Sequence, residues 1–104
     1  MENGEDQHAI SETRQPFQAD VLAWARERWP DRCDPVNRAL KVGEEAGEVL
    51  GAVVRMGEGR GSKAHLAQEL AQLALCTMAL AEAADIDLPF AVSAEWSEIQ
   101  ERVW

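Results

Sequence analysis

The sequence is poor in cysteine, in basic residues and in long apolar runs, and each shortage removes a class of protein. Its two cysteines, Cys33 and Cys76, stand in no C-x-x-C or Cys/His ligand spacing, so neither a disulfide framework nor a zinc site is expected. Such thiols suit a reducing compartment. Lys and Arg number 10 against 19 Asp and Glu, for a net charge of −9. The few cations are spread along the chain, and an acidic surface repels a phosphate backbone, so no nucleic-acid partner is expected. The longest strongly apolar run, Leu70 to Ala81, falls short of the ~20 residues that span a bilayer, and no membrane association is expected. The first residues, "MENGEDQHAISETR", lack the basic start and apolar run of an export signal. Residues 1–14 read as a flexible tail before a single domain over 15–104, and the expected location is cytoplasmic.

What is present is helical pattern. No segment alternates with a period of two, whereas apolar residues recur at three and four throughout, so the expected class is all-α. Punctuation places four helices. The first runs from about Pro16 to Trp29, with Pro16 at the first helical position, a stripe of Phe17, Val21, Trp24 and Ala25, and Pro30 as the stop. Asp34 caps the second, which starts at Pro35 and runs to about Met56, where "GEGRGS" ends it. Ser62 caps a third to about Ala84, "DIDLP" makes a turn, and a short last helix spans about Pro89 to Gln100. A phosphate-binding loop needs Gly-Lys-Ser/Thr between a strand and a helix. In "GEGRGSK" Ser precedes Lys, so this is a glycine connector.

On the second helix Val36, Ala39, Leu40, Gly43, Ala46, Gly47, Leu50, Val53 and Val54 share one broad face, expected to be core, with Val42, Val49 and Met56 widening it. Asn37, Lys41, Glu44, Glu45, Glu48 and Arg55 fill the remaining sector. Two readings fit that sector: a solvated face on which Lys41 pairs with Glu45, or a site where a cation relieves the repulsion of Glu44 and Glu48. The third helix reads "LAQLALCTMALA" over Leu70 to Ala81, apolar nearly all round, as expected of a helix surrounded by protein. Four short helices can hardly enclose it, so a second subunit is expected to complete a larger bundle about a two-fold axis. Its only polar line is His65, Glu69, Gln72 and Cys76. A buried carboxylate there must be paired, protonated or bound to metal. Trp24 is a candidate to stack on a base, while Trp29, Trp96 and Trp104 suit packing. Glu5 and His8 form an E-x-x-H, but in the tail, which does not support a di-iron bundle.

"EEAGE" on one helix, "ELAQ" on the next, and "ADIDL" after it together resemble the all-α nucleoside triphosphate pyrophosphohydrolases. This MazG-like superfamily includes dimeric dUTPases, dCTP pyrophosphatases and phosphoribosyl-ATP pyrophosphatases. Its pattern is E-E-x-x-E, a spacer, then E-x-x-D. Glu44, Glu45 and Glu48 match the first element, and Glu69 the first acid of the second, over a region from about Phe17 to Leu88. The resemblance implies a four-helix bundle assembled with a second subunit as a homodimer or tetramer. It also implies hydrolysis of a nucleoside triphosphate to the monophosphate and pyrophosphate. Carboxylates without His or Cys ligands suit Mg²⁺ or Mn²⁺. In the roles carried over, Glu45, Glu48 and Glu69 hold the metal with Gln72, and Glu44 orients or deprotonates the attacking water. Apart from the resemblance, Arg55, Arg60 and Lys63 near the connector are candidates to contact phosphates or simply offset the acidic surface, and Trp24 is a candidate to meet the base or to pack. Gln72 departs from the pattern, where Asp is usual. An amide oxygen ligates without adding charge, so ion affinity should fall. A catalytically weakened relative that binds nucleotide or a protein partner is therefore the alternative.

Overall fold

In the computed structural model, residues 15–102 are described, and among them every regular element is helical. The order is α1 (Gln18–Arg28), a short 3-10 turn (Pro30–Arg32), α2 (Pro35–Gly57), α3 (Lys63–Ala83) and α4 (Leu88–Ile99). The tail over 1–14, with Glu5 and His8, and Trp104 lie outside the described residues. No helix among the described residues is long and apolar enough to cross a membrane.

Side-chain caps set the helix starts. The Asp34 carboxylate accepts from the Asn37 backbone N–H at 3.2 Å, with Pro35 at the first helical position. Ser62 Oγ accepts from the His65 N–H at 3.0 Å, and Asp87 from the Phe90 N–H at 3.1 Å. The first helix corrects the expectation for Pro16. Here the Phe17 N–H donates to Asp20 at 3.0 Å, which makes Phe17 the cap and leaves Pro16 outside the helix. Left-handed backbone ends the two long helices, at Gly59 (φ 76°) and at Asp85 (φ 59°). Aspartate is among the few side chains that adopt this region readily, and the turn is closed by the Ile86 N–H on the Ala81 carbonyl at 2.8 Å.

α2 and α3 pack along one another, α1 lies across α3, and α4 touches the rest chiefly through α3. The α1–α3 contact is the best-buried apolar region, formed by Leu22, Ala25, Cys33 and Ala79 with Val21 and Ala83 at its edge. Gln18 ties the start of α1 to the α3–α4 turn: its amide nitrogen donates to Glu82 and to the Ile86 carbonyl, and its amide oxygen accepts from the Leu88 N–H.

The rotational setting of α2 overturns the expected core. Arg38, Glu45 and Ala52 are its buried residues, whereas Val36, Leu40 and Leu50 are 68, 67 and 65 % exposed. Val53 and Val54 are exposed as well. Of the polar sector Glu45 alone is buried, while Glu44 and Glu48 stay exposed, and the apolar face is left largely uncovered by the described residues. The reason is geometric. Glu45 lies about 180° from the line through Val36 and Val54 at 100° per residue, so burying one exposes the other. α3, expected to be surrounded, is covered by α1 and α2 but leaves Leu70 and Leu75 partly exposed.

Two changes test this packing. Leu22 is fully buried, so Leu22→Ala should destabilise by about 3 kcal/mol, read from urea unfolding. The Asn37 side chain and backbone amide hold the Asp34 carboxyl below its usual range. Its stabilising effect is therefore complete above the unfolded-state carboxyl pKa and is lost as pH falls through the lower folded value. Asn caps as well as Asp but does not titrate. Asp34→Asn should match the parent at neutral pH and lose melting temperature less steeply between about pH 5 and 2.

Candidate functional site

The inward sector of α2 meets α1 and α3 around a cleft of about 520 Å³, lined by Trp24, Trp29, Arg38, Lys41, Glu45, Gln72, Leu75 and Cys76 among others. That volume falls in the range of small-molecule sites. Its walls are mostly apolar, and its polar groups come from facing helices.

Lys41 organises the acids of α2. Its ammonium lies 2.6 Å from Glu44 and 3.5 Å from Glu45. The hydrogen bond to Glu44 raises the Lys41 pKa above its ordinary value and holds the Glu44 carboxyl below its own. Glu44 stands in solvent, whereas Glu45 is only 8 % exposed. One Glu45 oxygen faces Lys41, and the other, Oε1, is buried with no hydrogen-bond partner.

Glu69 repeats this state on α3. Its Oε1 lies 3.8 Å from His65 Nε2, and its Oε2 is buried without a partner. His65 in turn lies 3.4 Å from the Arg55 guanidinium. That guanidinium folds back over α2 into space left by Gly51, where a Cβ would come within 3.2 Å of it. Leaving a buried carboxylate oxygen unsatisfied costs on the order of 1–3 kcal/mol or more. A carboxylate oxygen in this state is the kind of donor that a hard divalent cation such as Mg²⁺ or Mn²⁺ takes.

The expected site residues are unequally placed. Glu45, Gln72 and Trp24 line the cleft, and Glu69 is nearly buried on α3. Glu48 is exposed. Among the described residues no group of three or more His, Cys, Asp or Glu side chains is gathered closely enough to share an ion. Arg55 is engaged with His65, and Lys63 is exposed at the start of α3. Trp24 meets Trp29 edge to face at 5.4 Å, and the Arg28 guanidinium covers its ring at 4.0 Å. Sequence reasoning passed over Arg38. It is buried beside the cleft and donates from Nε to the Arg32 carbonyl at 2.8 Å. Its spacing of seven residues from Glu45 was the available signal, because seven residues return to the same helix face.

Cys76 reports on this environment. Burial pushes its thiol pKa up, and the Glu45 charge adds to the shift. Alkylation by iodoacetamide near pH 7.5, followed by mass spectrometry, should therefore be at least about tenfold slower for Cys76 than for an unfolded thiol. Glu45→Gln removes the second cause and should speed the reaction.

Comparison with protein-family models, with curated proteins and with solved structures finds no match to this chain.

Proposed function

We propose that the protein is a metal-dependent nucleoside triphosphate pyrophosphohydrolase of the MazG-like kind, working as a homodimer or as a pair of dimers. One observation carries the reading: Glu45 on α2 and Glu69 on α3 each present a buried carboxylate oxygen that has no hydrogen-bond partner among the described residues. Carboxylates on adjoining helices, in the E-E-x-x-E and E-x-x-Q spacing of this sequence, are a hard-cation donor set.

In this reading Glu45, Glu48 and Glu69 would hold Mg²⁺ or Mn²⁺, with Gln72 adding a neutral amide oxygen, and the ion, when bound, would supply charge neutralisation at the phosphates. Glu44 is the base or orienting group for water: it is solvent-exposed, and Lys41 keeps it ionised. Lys41 also prevents the Glu44 and Glu45 charges from repelling unopposed. The apolar cleft accepts the nucleoside, with Trp24 offering an aromatic wall. For Trp24 to stack on a base, Arg28 must leave the ring, and the guanidinium it frees is then available to an anion. Lys63, exposed at the α3 start, and Arg55, once released from His65, are the cations for phosphate.

A second reading is favoured by Gln72 and by the exposed position of Glu48. Both weaken the charge that converges on an ion. A chain with these features binds a nucleotide or protein partner in a regulatory or assembly role with little turnover.

Pyrophosphate release from a panel of ribo- and deoxyribonucleoside triphosphates with Mg²⁺ or Mn²⁺ decides between them. The enzyme reading predicts release of pyrophosphate and not phosphate, and a fall of at least about a hundredfold in Glu45→Gln and Glu69→Gln. Melting with and without Mn²⁺ gives an independent readout. Ion binding to the folded state should raise Tm in the parent and not in Glu45→Gln. Gln72→Asp should enlarge the shift. If it also creates turnover that the parent lacks, the weakened-relative reading stands.

A further inference from the structure

We propose that the cleft between α1, α2 and α3 binds a flat organic acid as its carboxylate, with the Arg38 guanidinium as the anion anchor and Trp24 and Trp29 as the apolar wall. This goes beyond the pyrophosphohydrolase reading, in which the cleft takes a nucleoside and Arg38 has no part, and it requires neither a metal ion nor turnover.

Arg38 lies near the start of α2 at 9 % exposure, a burial that arginine almost never reaches without a partner. Its Nε donates to the Arg32 carbonyl at 2.8 Å, which ties the guanidinium to the end of the 3-10 turn that precedes α2. The two terminal nitrogens have no such duty. No ion pair among the described residues includes Arg38. Nor are those nitrogens sealed in protein, since the buried side-chain atoms without a partner among the described residues are carboxylate oxygens of Glu45 and Glu69. Arg38 lines the cleft, so a ligand there can reach what solvent reaches. Burying a cation without a counter-charge is costly. The chain has 19 acids to 10 bases, yet no carboxylate among the described residues is placed to meet this guanidinium.

Charge and shape select the ligand. A guanidinium held through Nε offers its two terminal N–H groups side by side, a fork that matches the two oxygens of a carboxylate. Lys41, the other cation of the cleft wall, is already 2.6 Å from Glu44 and 3.5 Å from Glu45. One positive charge is therefore free, which suits a carboxylate better than a phosphate dianion. A neutral base would take the hydrogen bonds and leave the charge unmet. Glu45 does not forbid an anion at Arg38, because seven residues set the two about 10 Å apart along the axis and Lys41 stands against Glu45. The rest of the wall is mostly apolar: Trp24 and Trp29 meet edge to face at 5.4 Å, and Leu75 and Ala79 come from α3. A ring system is the body that such walls enclose, and a cleft of about 520 Å³ holds one.

Isothermal titration calorimetry of the full chain in EDTA, with β-naphthoate and its neutral amide β-naphthamide as probes, tests the charge that Arg38 supplies. The parent should bind the acid at least about tenfold more tightly than the amide. Arg38→Met keeps much of the length of the side chain but no donor, and should bring the two affinities to within about twofold. Arg38→Lys keeps the charge without the fork and should retain only part of the preference. Both variants give up the bond to Arg32, so each is compared only where circular dichroism shows the parent's helical signal. A readout on the parent needs no variant. Cys76 lines the same cleft, and saturating β-naphthoate should slow its alkylation by iodoacetamide by at least about threefold. Equal affinity for acid and amide in the parent, a preference that survives in folded Arg38→Met, unchanged alkylation of Cys76, or binding of adenosine monophosphate where β-naphthoate does not bind would each overturn the proposal.

Discussion

The arrangement of this protein depends on Glu45 facing inward between α2 and α3. A buried carboxylate is tolerated only with a counter-charge and hydrogen bonds. Here the counter-charge is Lys41, one turn earlier on the same helix and 3.5 Å away, while the second oxygen is left bare. That single placement fixes the rotation of α2. With Glu45 inside, Arg38 and Ala52 follow it, seven residues before and seven after, and they are the other buried residues of the helix. The apolar stripe is then necessarily outside. Half a turn of α2 would put Leu40 and Leu50 against α3 and return Glu45 to water, an outcome favoured by the hydrophobic term alone. In the observed rotation the small Ala52 is buried on the same side as Glu45, and a cleft collects polar groups of α1, α2 and α3.

Much of the helical layout was legible in the sequence, because helix ends are written in local chemistry. Asp34 with Pro35, Ser62 and Pro89 act within one turn of themselves and appear as caps or first-turn residues, while Asp87, read only as part of a turn, caps α4. Pro16 misled for the same local reason. Its fixed φ suits a first helical position, but the Phe17 amide was claimed by Asp20. Which face of α2 turns inward was not legible. Periodicity reports that a helix has an apolar side, not whether its own chain or another molecule covers that side. Spacing singled out the acids as candidates, and of the residues named with them the structure brings Glu45, Gln72 and Trp24 to one cleft while Glu48 stays exposed. It missed Arg38, whose partner is the Arg32 carbonyl, and it missed the Arg28 guanidinium over Trp24. Both contacts are matters of side-chain direction, which no one-dimensional pattern carries.

The glycines of α2 bring its two sides into one argument. Gly43, Gly47 and Gly51 recur every fourth residue through the middle of a helix, and each weakens it by roughly 0.5–1 kcal/mol relative to alanine. A helix so weakened owes its stability to what packs on it. At Gly51 the compensation is visible within the chain, since the missing Cβ is where the Arg55 guanidinium lies on its way to His65. Gly43 and Gly47 have no such return inside one chain, for the space beside them is open. They lie at the midpoint of a bare apolar stripe, where a side chain would hold a neighbouring helix away.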